Sequence, residues 1–126
     1  MIRSTVREFA LAEVAPRAVA MDVSMEFPLD LFAKMAEIGL TGIPVSEECG
    51  GAGMDILAYA IAVEEIARVD GSLGLTLAAH TSLGPWPIYA FGTEEQRRKW
   101  VPPLAAGEYY FSDFVFPSMH GRFIVH

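Results

Sequence analysis

From Gly71 to Thr93 the chain carries no Asp, Glu, Lys or Arg, and this stretch limits the possible folds more than any other. An uncharged run of that length either spans a bilayer or belongs to an interior. Gly74, Gly84, Pro85 and Pro87 fall inside it, together with His80 and several hydroxyl side chains. Proline removes a backbone donor and clashes with the preceding turn. One lipid-spanning helix is therefore a poor fit, and a buried segment split at Pro85 and Pro87 is a better one. The stretch from Ser72 to Phe91 is apolar almost all round, as expected of a central helix covered by its neighbours.

The flanking sequence has helical periods. From Ile2 to Met21, Val6, Phe9, Ala10 and Val14 share one face, and Pro16 is expected to kink or restart the helix. A second helix opens at Phe27-Pro28 and runs through Leu31, Phe32, Met35 and Ile38 to a cap at Gly39. Glycines and Pro44 between Thr41 and Gly53 indicate turns. A third helix starts near Asp55, with Ile56, Tyr59, Ala60, Val63, Ile66 and Ala67 as its apolar stripe and Glu64, Glu65 and Arg68 on other faces. It stops at Asp70-Gly71. Thr93 and Gln96 form a capping-box pair that opens a last helix, ending between Ala105 and Gly107. These periods predict an all-α array of about five helices with no strand before Glu108. Beyond Glu108 the residues change in kind. Tyr109, Tyr110, Phe111, Phe114, Phe116 and Phe123 give a strand-like, aromatic composition.

Composition narrows the function classes. With 126 residues, 52% of them hydrophobic, the chain can bury one core without covalent staples. A single cysteine, Cys49, rules out an internal disulfide and fits a reducing cytoplasm. Glu8, Glu13 and Arg17 interrupt the start, so no export signal is expected. The net charge of −7 argues against nucleic acid, which is bound through clustered cations. The one basic run, Arg97-Arg98-Lys99, reads as a solvated helix face balanced by Glu94 and Glu95.

Candidate chemical groups are few. Gly50-Gly51-Ala52-Gly53 precedes a helix, but it matches no phosphate-loop spacing and reads as a turn. Glu47, Glu48, Glu64, Glu65 and His80 lack the Glu-x-x-His pairs of a di-metal bundle, so no metal is expected and these glutamates read as solvated charge. His80 is the only ionisable side chain in the uncharged stretch, and it reads as a hydrogen-bonded residue in the core or at a cavity edge. Cys49 has no activating neighbour in sequence and reads as an inert thiol.

Three stretches together resemble the N-terminal domain of the acyl-CoA dehydrogenases. They are Phe27-Pro28 with Glu37-Ile38-Gly39-Leu40, the loop from Ile43 to Gly53, and Gly92-Thr93-Glu94-Glu95-Gln96 through Pro103 to Glu108. His80-Thr81-Ser82-Leu83-Gly84 and Pro87-Ile88 lie between them in the family's order. The resemblance covers residues 2 to 108, which makes 1–108 the helical domain and 109–126 a separate tail. It implies a flavin enzyme that uses FAD to introduce an α,β double bond into an acyl-CoA thioester. A carboxylate base takes the α-proton, the flavin takes hydride, and an electron-transfer flavoprotein takes the electrons. Neither the flavin-binding motif nor the base is recognisable in this sequence, so no catalytic or cofactor-binding residue is assigned and the chain alone is expected to be inactive. The resemblance further implies a homo-oligomer and places Leu77, Ala78, Ala79, His80 and Leu83 against the acyl chain. The other reading is a free-standing helical interaction module that keeps this fold.

Overall fold

The structure, a computed structural model, describes residues 1–109. Seven α-helical segments are present among them and no strand. They are α1 (Ile2–Phe9), α2 (Ala18–Ser24), α3 (Leu29–Glu37), α4 (Ile56–Ala67), α5 (Gly71–Leu83), α6 (Pro85–Phe91) and α7 (Glu94–Ala105). Between α1 and α2 the chain stays helical, through a π-turn at Ala10–Val14 and a 3-10 turn at Ala15–Arg17. This is the expected disturbance at Pro16, since widening the preceding turn relieves the clash of the proline ring with the carbonyl four residues back. The segments α5 and α6 meet at Gly84-Pro85 and make one broken element. With these two pairs joined, the fold is the five-element all-α array expected from the sequence. The aromatic, strand-like expectation for the tail falls almost wholly on residues 110–126, outside the described part.

Local signals set the boundaries. Asp55 accepts the Ala58 N–H at 2.8 Å and Asp70 accepts the Leu73 N–H at 2.7 Å, capping α4 and α5. Thr93 and Gln96 complete the reciprocal capping box of α7. Gly39, at φ 81°, turns the chain out of α3 in the left-handed region that favours glycine.

The core is assembled from one face of each helix. Val6, Ala10 and Val14 from the first rod meet Leu31, Phe32 and Met35 of α3, Ala58, Ala62 and Ile66 of α4, and Leu73 and Leu77 of α5. A smaller cluster of Val45, Val101 and Ala105 seats α7. Two buried side chains bind the carbonyls at the end of α7. Thr41 Oγ1 donates to Ala105 O at 2.6 Å, and His80 Nε2 to Leu104 O at 2.9 Å. Leu104 O also accepts the Gly107 N–H at 3.1 Å just past the helix, and the Thr41 and His80 donors from other elements add to it in fixing the C-terminus.

The structure corrects the sequence reading of α4. Its buried residues are Ala58, Ala62, Glu65 and Ile66, while Ile56, Ala60 and Ala67 are exposed and Tyr59 and Val63 half-buried. Of the expected stripe only Ile66 is fully inside. The physical reason is close packing: small alanines on the inner side let α1 approach, and the larger side chains face away from it. Glu65 is also corrected. It is not solvated charge but a buried carboxylate, 2% exposed.

Candidate functional site on the open face of α4 and α5

Because α5 follows α4 after a short turn, the two helices run side by side in opposite directions. At the turn end Gly74 lies so close to Ala67 that a Cβ on it would sit 2.6 Å from the alanine's own Cβ. One turn further along α5, the Tyr59 hydroxyl donates to the Ala78 carbonyl at 2.8 Å. Ser82 Oγ donates to the same carbonyl at 2.7 Å. Burial raises the Tyr59 hydroxyl's pKa, and its interaction with Ser82 opposes the rise.

The inner side of α4 carries the only strongly charged cluster near this pair. Arg7 Nε donates to Glu65 Oε2 at 2.9 Å and Arg7 NH2 to Oε1 at 3.0 Å, while Arg3 NH1 donates to Oε1 at 2.5 Å. Arg3 also reaches Glu64 at 3.1 Å. The hydrogen bonds from Arg7, reinforced by those from Arg3, outweigh desolvation and hold the Glu65 carboxyl down at about 2. The sequence carried a signal for this cluster in the spacing of Arg3 and Arg7, which puts both on one face of α1. The position of Glu65 opposite them is a tertiary fact.

The five residues expected to line an acyl pocket do not share one face. Leu77 is fully buried in the core and His80 is buried beside it, Ala78 and Ala79 are half-buried, and Leu83 is 56% exposed. His80 meets the ring of Phe32 edge-on, with centroids 5.1 Å apart. Burial lowers its pKa to about 4 against the opposing hydrogen bond to Leu104, so the ring is neutral near pH 7. The residues of α5 turned away from the core are Leu75, 70% exposed, with Ala79, Ser82 and Leu83. Leu75 was missed because a uniformly apolar helix gives no periodic signal to separate its faces. With Ile56, Tyr59, Ala60 and Val63 of α4, this surface is apolar and offers two hydroxyl groups at Tyr59 and Ser82.

The glycine loop offers no anion seat. The N–H groups of Gly50, Gly51, Ala52 and Gly53 donate to the carbonyls of Glu47, Ser46, Gly42 and Val45 at 2.8 to 3.0 Å. Two clefts of about 490 and 420 Å³ open on the surface. The first is lined by Ala33, Ala36, Gly51 and Ala105 among others, the second by Pro87, Ile88, Phe91, Gln96 and Trp100, and neither involves the five expected pocket residues. Among the described residues no group of three or more metal-ligating side chains is gathered, and no helix is long and apolar enough to cross a membrane.

Among the described residues, an all-helical array with an apolar outer face on its central pair defines an all-α domain. The chain belongs to the acyl-CoA dehydrogenase family, a family of flavoprotein oxidoreductases, since the model of "Acyl-CoA dehydrogenase, N-terminal domain" matches residues 1–108. It is 48% identical over 109 residues to an acyl-CoA dehydrogenase of Bacillus subtilis, covering 86% of this chain and 29% of that protein. It is 50% identical over 108 residues to a short-chain specific acyl-CoA dehydrogenase of Clostridium acetobutylicum, covering 86% of this chain and 28% of the relative. Among solved structures, butyryl-CoA dehydrogenase from Megasphaera elsdenii superposes with a TM-score of 0.81 at 33% identity, over 86% of this chain and 29% of that one. An acyl-CoA dehydrogenase from Bacillus anthracis complexed with FAD gives 0.81 at 38% identity, over 87% and 19%. The chain thus spans under a third of the length of each relative.

Proposed function

We propose that this chain is the N-terminal portion of a flavin-dependent acyl-CoA dehydrogenase and that the outer face of α5, flanked by α4, forms one wall of its acyl site. The observation that carries this reading is the openness of α5, which is apolar nearly all round, beside exposed apolar residues of α4. A helix of that kind belongs inside a larger body, yet Leu75, Leu83, Ile56 and Leu57 remain exposed. The remainder of the enzyme would cover them, leaving a space for an apolar tail between. Leu75, Ala79 and Leu83 would touch that tail. Leu77, Ala78 and His80 would act from behind, holding α5 in the core and against α7.

The described residues do not fit a flavin. The loop donors suited to a pyrophosphate are already engaged, and the charged residues lining the first cleft, Glu37 and Glu108, are acidic. The part of these residues in the reaction is therefore physical. Apolar contact holds the acyl chain at about 25 cal/mol per Å² buried, and a closed wall keeps water away. Cofactor, base and electron-transfer flavoprotein would be engaged by other parts of a homo-oligomeric cytoplasmic enzyme.

Two measurements test the reading. In the 126-residue chain with labelled methyl groups, butyryl-CoA and octanoyl-CoA should shift the resonances of Leu75 and Leu83 and leave Leu31 unmoved, with free coenzyme A as the control. No acyl-dependent shift on α5 would remove the wall. The chain mixed with FAD and desalted should be colourless and unable to reduce an artificial acceptor with an acyl-CoA. A yellow, active preparation overturns the assignment of the chemistry to other segments.

A further inference from the structure

The interhelical bond from Tyr59 to Ala78 has a geometric consequence. The Ala78 carbonyl receives two side-chain hydroxyls, Tyr59 from α4 at 2.8 Å and Ser82 from its own helix at 2.7 Å. Of these only Tyr59 joins the two helices. The pair is already fixed at the turn by the close approach of Gly74 to Ala67. Past Ala78 the buried His80 anchors α5 to α7, but toward α4 the Tyr59 bond is the tie, and α5 ends at Leu83, where Pro85 has no N–H to give to the Thr81 carbonyl. The buried Thr81 hydroxyl also has no hydrogen-bond partner. Ala79 and Leu83, the outward residues of this half, lie directly beyond the tied carbonyl.

We infer that Tyr59 is a positioning residue for acyl-chain length, fixing through Ala78 how far Ala79 and Leu83 project into the acyl site. The inference rests on the wall proposed above. A short acyl group has little contact with the far end of α5, whereas a long tail must pass Ala79 to reach Leu83. Loosening the tie therefore changes the binding of long tails and leaves short ones unaffected. A merely structural role would weaken both alike. Ser82 donates within its own helix and reaches α4 only through the Tyr59 hydroxyl, so its removal should alter selectivity less than loss of that hydroxyl.

The test compares the 126-residue chain with its Tyr59→Phe and Ser82→Ala variants, each checked for helicity by circular dichroism. Butyryl-CoA and octanoyl-CoA affinities are read from the Leu83 and Leu75 methyl shifts. In Tyr59→Phe the octanoyl-to-butyryl affinity ratio should change by about threefold, the scale of one neutral hydrogen bond, with butyryl binding unaltered and the Ala78 carbonyl carbon resonance displaced. In Ser82→Ala the ratio should change by less than in Tyr59→Phe. An unchanged ratio in Tyr59→Phe, an equal loss for both ligands, or the same ratio change in Ser82→Ala overturns the role of Tyr59 while the wall stands. Absence of any acyl-dependent shift in the wild-type chain overturns both readings.

Discussion

The two sides of α4 reverse the usual relation between side-chain size and burial. Facing α1, the helix presents two alanines, Ile66 and an ionised glutamate, all buried. Facing away, it presents Ile56, Tyr59, Ala60 and Val63, which are exposed or half-exposed. The inner side is closed by close approach and by two arginines that satisfy the carboxylate. The outer side carries larger apolar side chains, of which Ile56 is exposed while Tyr59 and Val63 are only partly covered by packing against the core. The helix α5 repeats the contrast with Leu77 inside and Leu75 and Leu83 outside.

The sharpest way to break this comparison uses one residue type on one helix. Leu77→Ala should destabilise the chain by about 3 kcal/mol, as expected for truncating a fully buried leucine. Leu83→Ala should cost no more than about 0.5 kcal/mol, as for a surface site. Urea denaturation of both variants measures the difference. Equal costs would mean that the outer face of α5 is packed within this chain after all.

Acid should act on the inner side through two separable groups. The Glu65 carboxyl is held at about 2 in the folded chain against an ordinary 4.5. Between these values the unfolded chain binds more protons, so stability is complete above about 4.5 and falls as the pH drops toward 2. The ordinary value of His80 is 6.5 and its folded value about 4. Its contribution has the same sign and is lost as the pH falls from 6.5 through 4, because the buried ring must be neutral. Glu65→Gln should flatten the lower limb and leave the upper one, and denaturation midpoints across both windows test this. An unchanged lower limb would show that Arg3 and Arg7 do not depend on the Glu65 charge. On the exposed side, Asp30 paired with Arg17 also titrates below its ordinary value, so some acid sensitivity should survive the substitution.

What the sequence made legible follows from the range of each signal. Local chemistry was sufficient for the Thr93-Gln96 capping box, the Gly39 cap, the disturbance at Pro16 and the break at Pro85, because each depends on residues within a turn or two. The fold class was readable from the order of such signals, and the family from the resemblance of three stretches between Phe27 and Glu108. The orientation of α5 was not readable, because apolar residues on nearly every side leave no preferred face, and the stripe expected on α4 was misplaced because its small alanines, not its larger apolar residues, pack inward. Glu65 was misread for a related reason: in sequence it is one of an adjacent acidic pair, and only the packing of α1 brings Arg3 and Arg7 over it. His80 illustrates the limit for site residues. Its burial was foreseeable from the uncharged stretch, but its hydrogen bond to Leu104 depends on where α7 ends, and the choice between core and cavity edge depended on that contact.

The smallest expected effect on stability falls on the outer face. Leu75→Gln and Leu83→Gln should each change the unfolding free energy by no more than about 0.5 kcal/mol, since neither side chain is packed inside the chain. Exposed apolar patches bind hydrophobic dyes and promote association, so the double variant should bind less dye than the wild type and sediment more uniformly as a single species. The same pair should lose the acyl-dependent methyl shifts on α5, because a tail held by apolar contact would meet amide groups that must be desolvated. Loss of fold in the double variant would place these leucines in the core of this chain. Unchanged dye binding would locate the open apolar surface elsewhere, with Phe91 on α6, Val19 and Val23 on α2, and Ile56 and Leu57 on α4 among the other exposed large apolar positions. The comparison between inner and outer faces therefore depends on an outcome in which folding is untouched and surface behaviour is altered.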